Sequence, residues 1–452
     1  MTVAPRLAAH ATSRPELWIL TLLSAATHFW HLTSPHAFVF DEVYYEPFAG
    51  AYLTHAYMFD VHPPLGRLLF ALTARLLHVP AAALMQPVPV PMLRVLPALF
   101  GTALVPLVYL LLRQLHASRR VAALGAIGIL FDNGLLMMSR IAVPDIILIV
   151  LGVGALSAYL AARTRSGGTR AWWIAGAALL AGLALSIKWT GASALGLILS
   201  AWAIDSFRAR RRAATVVREA ALLIAIPALL YLGFFQLHFA ILSHSGTGDR
   251  YMPARFLAQL PGSATYDPSA PRLSYWQKLA DVHAAIRRSN AKLIGASNSA
   301  SSKWYTWPFT THPIMVWSSA PSGPDVRKLF LVGNPLVWWT AIACVVATSV
   351  MFMSRRAVFR GFEYGTVFLL AAFAINYLPF IAIRRLMYIY HYLFALTIAV
   401  GVTAWLLGLL AGWMRADDQR WRFPRWQSEA GYWSVVGVWL AGFLFFAQFT
   451  FV

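Results

Sequence analysis

The chain has 452 residues, of which 59% are hydrophobic and only 12% charged, whereas a soluble domain carries roughly 25% charged residues; its solvent is therefore read as a bilayer. A formal net charge of +20 would suggest a nucleic-acid partner in a soluble protein. Here the basic residues sit mainly in short loops between apolar stretches and form no basic helix face or aromatic–basic module, so nucleic-acid binding is set aside in favour of membrane topology.

At the N-terminus, Arg6 and Arg14 precede an apolar run from Leu17 to Phe29 that imitates a signal peptide. The many later spans make it an uncleaved first helix. A spanning helix needs about 20 mostly apolar residues. That window predicts an all-α polytopic protein of about eleven spans, near 15–33, 93–114, 121–138, 141–162, 171–187, 190–206, 219–240, 333–353, 364–383, 386–411 and 432–451. The lone cysteine, Cys344, lies within one of them; it permits no intramolecular disulfide and reads as a small buried hydrophobe.

Arginine placement orients these spans. With the N-terminus in the cytoplasm, the cytoplasmic connections hold Arg113, Arg119 and Arg120; Arg163, Arg165 and Arg170; Arg208, Arg210, Arg211, Arg212 and Arg218; Arg355, Arg356 and Arg360; and Arg415, Arg420, Arg422 and Arg425. Every such loop is basic, as the positive-inside rule requires, and the C-terminus falls outside. The run at 208–212 is a topology anchor. Two long segments are left on the outer face, 34–92 and 241–332, the second rich in Trp, Tyr, Ser and Pro. A stretch such as Leu273–Leu279 suits a helix lying in the interface. No repeat and no separate soluble domain is evident, so 1–452 is expected to form one membrane domain.

The chain has 17 acidic residues, and four of them, Asp41, Glu42, Glu46 and Asp60, fall in the first outer segment. Carboxylates near a bilayer are costly and tend to be functional, and one on an anchored loop suits a general base. On residue chemistry alone, an acidic loop that merely solvates itself fits equally well. Pro63-Pro64 stiffens the entry to an apolar run, Leu65–Leu77, expected as a re-entrant or interfacial helix. Gly66 and Arg67 stand at its start, where free N–H groups and an arginine favour an anion. His62 is suited to orient Asp60 or to donate to a phosphate. Other cations lie toward the outer ends of spans: Arg94, Arg140, Lys188, Arg384 and Arg385. These oppose the topology rule; a lipid-linked phosphate would explain them, and snorkelling to headgroups is the alternative. Arg140 has Asp145 nearby, which also fits an intramembrane ion pair.

The loop Asp41-Glu42-Val43 with Asp60-Val61-His62-Pro63-Pro64-Leu65-Gly66 resembles the first external loop of the protein O-mannosyltransferases, membrane glycosyltransferases of the GT-C fold. Phe131-Asp132-Asn133, Ser139-Arg140, Asp145, Lys188-Trp189-Thr190-Gly191, Trp304, Trp307-Pro308, Gly333-Asn334-Pro335 and Tyr390-His391-Tyr392 continue the likeness in the family's order. It implies a polyprenyl-phosphate mannose donor, a Ser or Thr hydroxyl of a secreted or membrane protein as acceptor, and inversion at the anomeric carbon. By it Asp41 is the candidate base, with Glu42 positioning acceptor or base. Arg94 would serve the donor phosphate, with Arg67, His62 and Arg140 as further phosphate candidates. Asp60, Lys188, Arg384, Trp304, Trp307 and His391 complete the expected site. Cationic stabilisation of a leaving phosphate can replace a general acid, so no obligatory metal is expected.

Two departures stand out. Many relatives have His-Phe where this chain has Tyr44-Tyr45, and lysine is common where Arg67 stands. The second outer segment is also too short for the extra domain of the fungal enzymes, which with the Ala/Arg-rich composition suggests a bacterial inner-membrane protein. Two rivals remain open: another GT-C transferase, such as one moving aminoarabinose to lipid A, and a transporter. The charges gather at the outer boundary rather than at mid-bilayer in paired broken helices, which weighs against transport.

Overall fold

The computed structural model describes residues 15–296, 298–319, 326–414 and 424–451. Arg6, Arg14, Arg415, Arg420 and Arg422 of the topology argument lie outside them. A first helix, α1 (Pro15–Phe29), leads into the first outer segment, which folds as α2 (Glu42–Thr54), α3 (Leu65–Leu76) and the short α4 (Ala81–Leu84). Helix α3 is the expected run after Pro63-Pro64. The chain continues with α5 (Val95–Gln114), α6 (Arg119–Leu130), α7 (Asn133–Ser139), α8 (Asp145–Arg163), α9 (Gly167–Ile187), α10 (Ala192–Arg208) and α11 (Ala213–Ile241). The second outer segment carries α12 (Ala254–Leu257), α13 (Tyr275–Ala291) and an antiparallel hairpin of β1 (Ile314–Ser318) and β2 (Lys328–Leu331). Four helices close the chain: α14 (Pro335–Met353), α15 (Glu363–Tyr377), α16 (Leu393–Ala411) and α17 (Arg425–Ala447).

Nine helices among the described residues are long and apolar enough to cross a membrane, or ten if α6 and α7 count as one bent span. This is fewer than the eleven expected, for two reasons. Within the described residues helix α1 is 15 residues long, short of a span. The segment 121–138 breaks between Leu130 and Asn133 with a bend of 64°. The break has a local cause: the Asp132 carboxylate caps α7, accepting from Leu135 N at 2.8 Å, and also takes Asn334 N at 3.1 Å and the Trp338 indole at 2.5 Å. Asp132 is thus tied to the start of α14.

The most enclosed spans are α8 and α16. Helix α8 packs between α5 and α9, while α16 packs against α6, α14 and α15. Several arginines that orient the chain also make ion pairs: Arg119 with Glu16 at 2.5 Å, Arg163 with Asp205 at 2.7 Å and Arg170 with the buried Glu219 at 2.7 Å. In the anchor run, Arg211 reaches the same Glu219 at 3.4 Å. In the second outer segment the expected interfacial helix begins at Tyr275, where Ser274 and Gln277 form a capping box. The hairpin beyond it was not expected. It joins the two outer segments: Phe40 N donates to Val316 O of β1 at 2.9 Å.

Candidate active site

That bond sets the geometry of the acidic motif. Phe40 is held in the left-handed region (φ 55°), uncommon for a residue other than glycine, so the turn before Asp41 is fixed by its contacts rather than by preference. Asp41 then starts α2. Its carboxylate makes no capping hydrogen bond to that helix and no ion pair among the described residues. Burial pushes its carboxyl up to about 6; Lys188 opposes the rise, and Asp145 and Asp60 add to it.

Glu42 is used differently. It is fully buried and accepts from Val39 N, Ala142 N and both Nε and Nη2 of Arg94, each at 2.8 Å. Arg94 completes the staple by donating to the carbonyls of Leu32 (3.4 Å), Pro35 (3.0 Å) and Ala37 (2.8 Å). A guanidinium has five N–H donors, and all are occupied. This geometry corrects one expectation and narrows another. Arg94 has nothing left to offer a phosphate. Glu42 has no free oxygen to meet an acceptor, so of the two positioning roles expected of it the one toward the base remains, through the Asp41 turn.

Beside Asp41 lies a cavity of about 540 Å³, walled by His62, Asp145, Lys188, Arg385, Tyr388, Tyr390 and His391 on its polar side and by Trp189, Phe380 and Phe394 among its apolar residues. Asp41 is not on this wall but adjoins it: the Phe40 ring meets the Tyr390 ring edge-on at 5.8 Å, and the Asp41 charge acts on Tyr388. Lys188 binds both oxygens of Asp145, at 2.7 and 2.8 Å, and sits 5.5 Å from the Tyr390 ring. Asp145 therefore pairs with Lys188 and not with Arg140, the pairing considered from sequence. Arg385 reaches Asn290 on α13 at 2.6 Å. Burial, reinforced by the Lys188 and Arg67 cations, holds the His62 imidazole well below its usual range, so it faces the cavity neutral.

The remaining candidates divide. Arg67 forms a buried ion pair with Asp60 and donates to the carbonyls of His62 (2.5 Å) and Pro63 (2.7 Å), so it braces the loop that presents His62 instead of facing a ligand. Asp60 also takes Val61 N at 2.5 Å, which closes the same turn. Arg140 is corrected as well. It donates to the carbonyls of Thr27 (3.1 Å), His28 (3.0 Å) and His31 (3.2 Å), closing the last turn of α1, and packs on the Phe451 ring at 4.7 Å. Trp307 is buried behind the cavity, stacked on His391 at 6.0 Å, with its indole on Ser302 at 3.0 Å. Trp304 and Arg384 line a neighbouring cavity. Of the pair flagged in sequence it is Arg385, not the chosen Arg384, that enters the main one. Asn290 and Asn376 on its wall carried no sequence signal: Asn290 is one of many polar residues on α13, and Asn376 is a single amide near the end of an apolar helix.

Two family models match the chain. Residues 18–243 match dolichyl-phosphate-mannose-protein mannosyltransferase, and residues 275–452 match the C-terminal four-transmembrane region of protein O-mannosyltransferase. The chain belongs to the protein O-mannosyltransferase family. Among individual relatives, protein O-mannosyltransferase 1 of Drosophila melanogaster is 30% identical over 284 residues, 59% of this chain and 31% of that protein. The chain spans about a third of the length of the curated family members it matches. The protein O-mannosyltransferase Pmt1–Pmt2 complex of S. cerevisiae, solved bound to the sugar donor, superimposes with a TM-score of 0.87 at 15% identity, covering 98% of this chain and 91% of that one. ArnT from Cupriavidus metallidurans, solved with undecaprenyl phosphate, gives 0.55 at 14% identity, with 97% and 77% covered. At these identities both likenesses concern the fold, which is that of the GT-C transferases.

Proposed function

We propose that this chain transfers mannose from polyprenyl-phosphate mannose to Ser or Thr hydroxyls of exported proteins, with inversion and with Asp41 as base. The observation that carries the reading is Asp41 itself: a carboxylate without hydrogen-bond or ion-pair partner among the described residues, pushed up to about 6, beside a cavity that Lys188, Arg385 and His62 line. A base is most effective when its pKa lies near the working pH. In the proposed step the acceptor oxygen attacks the anomeric carbon as Asp41 takes its proton. The bond from that carbon to the phosphate oxygen breaks, and polyprenyl phosphate leaves with its charge already formed. Arg385 and Lys188 stabilise that charge in place of Arg94. The apolar residues Trp189, Phe380 and Phe394 suit the first part of the lipid chain.

The family match supports a mannosyl donor over aminoarabinose. The basic loops support a cytoplasmic N-terminus and an external site, in a bacterial inner membrane. The whole of 1–452 acts as one membrane domain in this reading, and no divalent metal is needed. The deciding experiment incubates the protein in nanodiscs with radiolabelled polyprenyl-phosphate mannose and a Ser/Thr-rich peptide, comparing wild type with Asp41→Asn. Loss of roughly 100-fold or more in transfer, with insertion intact, is expected of a missing base. Turnover retained in that variant removes Asp41 from the role.

A further inference from the structure

On the other side of residues 383–387 lies a second cavity of about 640 Å³. This segment is clamped in extended form between two parts of the second outer segment. Leu386 N donates to Leu293 O at 3.3 Å, and Ser302 N donates to Met387 O at 2.9 Å. Ile383, Arg385 and Leu386 line both cavities, so one stretch of chain is their common wall. The second cavity carries Lys303, Arg384 and Arg385 and no Asp or Glu. Neither Lys303 nor Arg384 has an acidic partner among the described residues, and the exposed Tyr305 ring lies 6.0 Å from the Lys303 ammonium. With 37 Lys and Arg against 17 Asp and Glu, exposed cations without a carboxylate partner are common in this chain. What sets Lys303 and Arg384 apart is that they share one cavity beside the site.

We propose that this second cavity binds the acceptor polypeptide next to its reacting hydroxyl, and that Lys303 and Arg384 select acceptors with Asp or Glu flanking that hydroxyl. The proposal rests on the transferase reading for its biological sense, but its binding test does not depend on activity. A polypeptide fits better than an anionic lipid because the wall mixes hydroxyls at Ser301, Ser302 and Thr306 with apolar Trp304, Ile381 and Met387, a mixture that suits the varied side chains of a peptide. An extended peptide alternates its side chains, so every second residue beside the acceptor would meet this wall while the hydroxyl turns toward Asp41.

The test measures binding of three fluorescent peptides to the full chain in phosphatidylcholine nanodiscs, without donor. The peptides share one Thr and differ only in flanks of Glu, Gln or Lys. The Glu peptide is expected to bind tightest, with the preference fading as salt rises. Lys303→Glu/Arg384→Glu should weaken it by roughly ten-fold relative to the Gln peptide, from two exposed charges each worth a few-fold. Lys303→Gln/Arg384→Gln should give about half that effect on a logarithmic scale and guards against misfolding of the reversed variant. In the transfer assay the ratio of kcat/KM for the Glu to the Lys peptide should fall in the same order. Equal binding of the three peptides by wild type, or equal losses for all three in both variants, overturns the proposal. A parallel measurement follows phosphatidylglycerol that co-purifies with each protein; a variant that loses this lipid while its peptide preference is unchanged also overturns the proposal. Flank-dependent binding without any mannose transfer would uphold the subsite and sink the transferase reading instead.

Discussion

Arg94→Ala separates two roles that the sequence leaves together. In the structure Arg94 is 1% exposed, Glu42 is 0% exposed, and the pair joins the turn at Leu32–Val39, the start of α5 and the turn at Ala142. Removing the guanidinium leaves a buried carboxylate with two backbone donors and frees three carbonyls. Breaking a buried pair from one side costs about 3–5 kcal/mol, because the remaining charge is left uncompensated. That is a large fraction of the 5–15 kcal/mol that holds a typical domain together, taken as an order of magnitude for the outer segment here. Since Glu42 follows Asp41 directly, the loss also releases the base from its place. The assay is a thermal melt of the purified protein combined with a donor titration at saturating peptide. Arg94→Ala should melt well below wild type and lose kcat, while the donor KM of whatever activity survives changes by less than about two-fold. Arg94→Lys, with three donors and no planar fork, should fall between the two. The reasoning is refuted by an Arg94→Ala protein that melts like wild type and shows only a raised donor KM.

Other outcomes follow from the same geometry. Arg385→Gln should raise the donor KM by roughly ten-fold or more with little change in melting, since Asn290 is the one side-chain hydrogen-bond partner of its guanidinium among the described residues and a phosphate contact is worth about 1.5–3 kcal/mol; a donor titration checks this. The wild-type rate should fall below about pH 6 as Asp41 takes up its proton, and a kcat/KM profile with no acidic limb would remove Asp41 as the titrating base. Glu46 tests burial in the same helix: its Oε2 accepts from Val90 N at 2.8 Å, its Oε1 is buried without a partner, and burial pushes its carboxyl up to about 7. The folded state then binds more protons than the unfolded state between the ordinary carboxylate range and about pH 7, so stability falls as pH rises through that window. Glu46→Gln should therefore melt higher than wild type at pH 8, by an amount of up to about 3 kcal/mol, and match it near pH 4; melts at the two pH values decide it.

The spans were legible because lipid imposes a length and a hydropathy on each of them, and most segments fold within a few residues of where that window puts them. What the window cannot see is a capping side chain. Phe131-Asp132-Asn133 looks like the outer end of one span, yet Asp132 ends one helix and begins another, with acceptors that only tertiary packing brings to it. The hairpin was hidden for a similar reason: its short strands bulge between Met315 and Trp317, which breaks the alternation that would announce them.

The site was half legible, and the residues show why. Asp41, His62, Lys188 and His391 were named from sequence and stand at or beside the cavity. The arginines were misread because residue type reports a charge and not its surroundings. Arg94, Arg67 and Arg140 are each surrounded by carbonyl oxygens supplied by segments distant in sequence or by a tight local turn, whereas Arg385 meets one amide and an open space. Adjacent residues at a helix start, by contrast, point about 100° apart, so the burial of Glu42 against Arg94 turns Asp41 away from that staple. Division of labour within the acidic pair follows from helix geometry once one member is known to be buried. An arginine's choice between carbonyls and a ligand has no such local rule, and it is decided by the packing of whole segments.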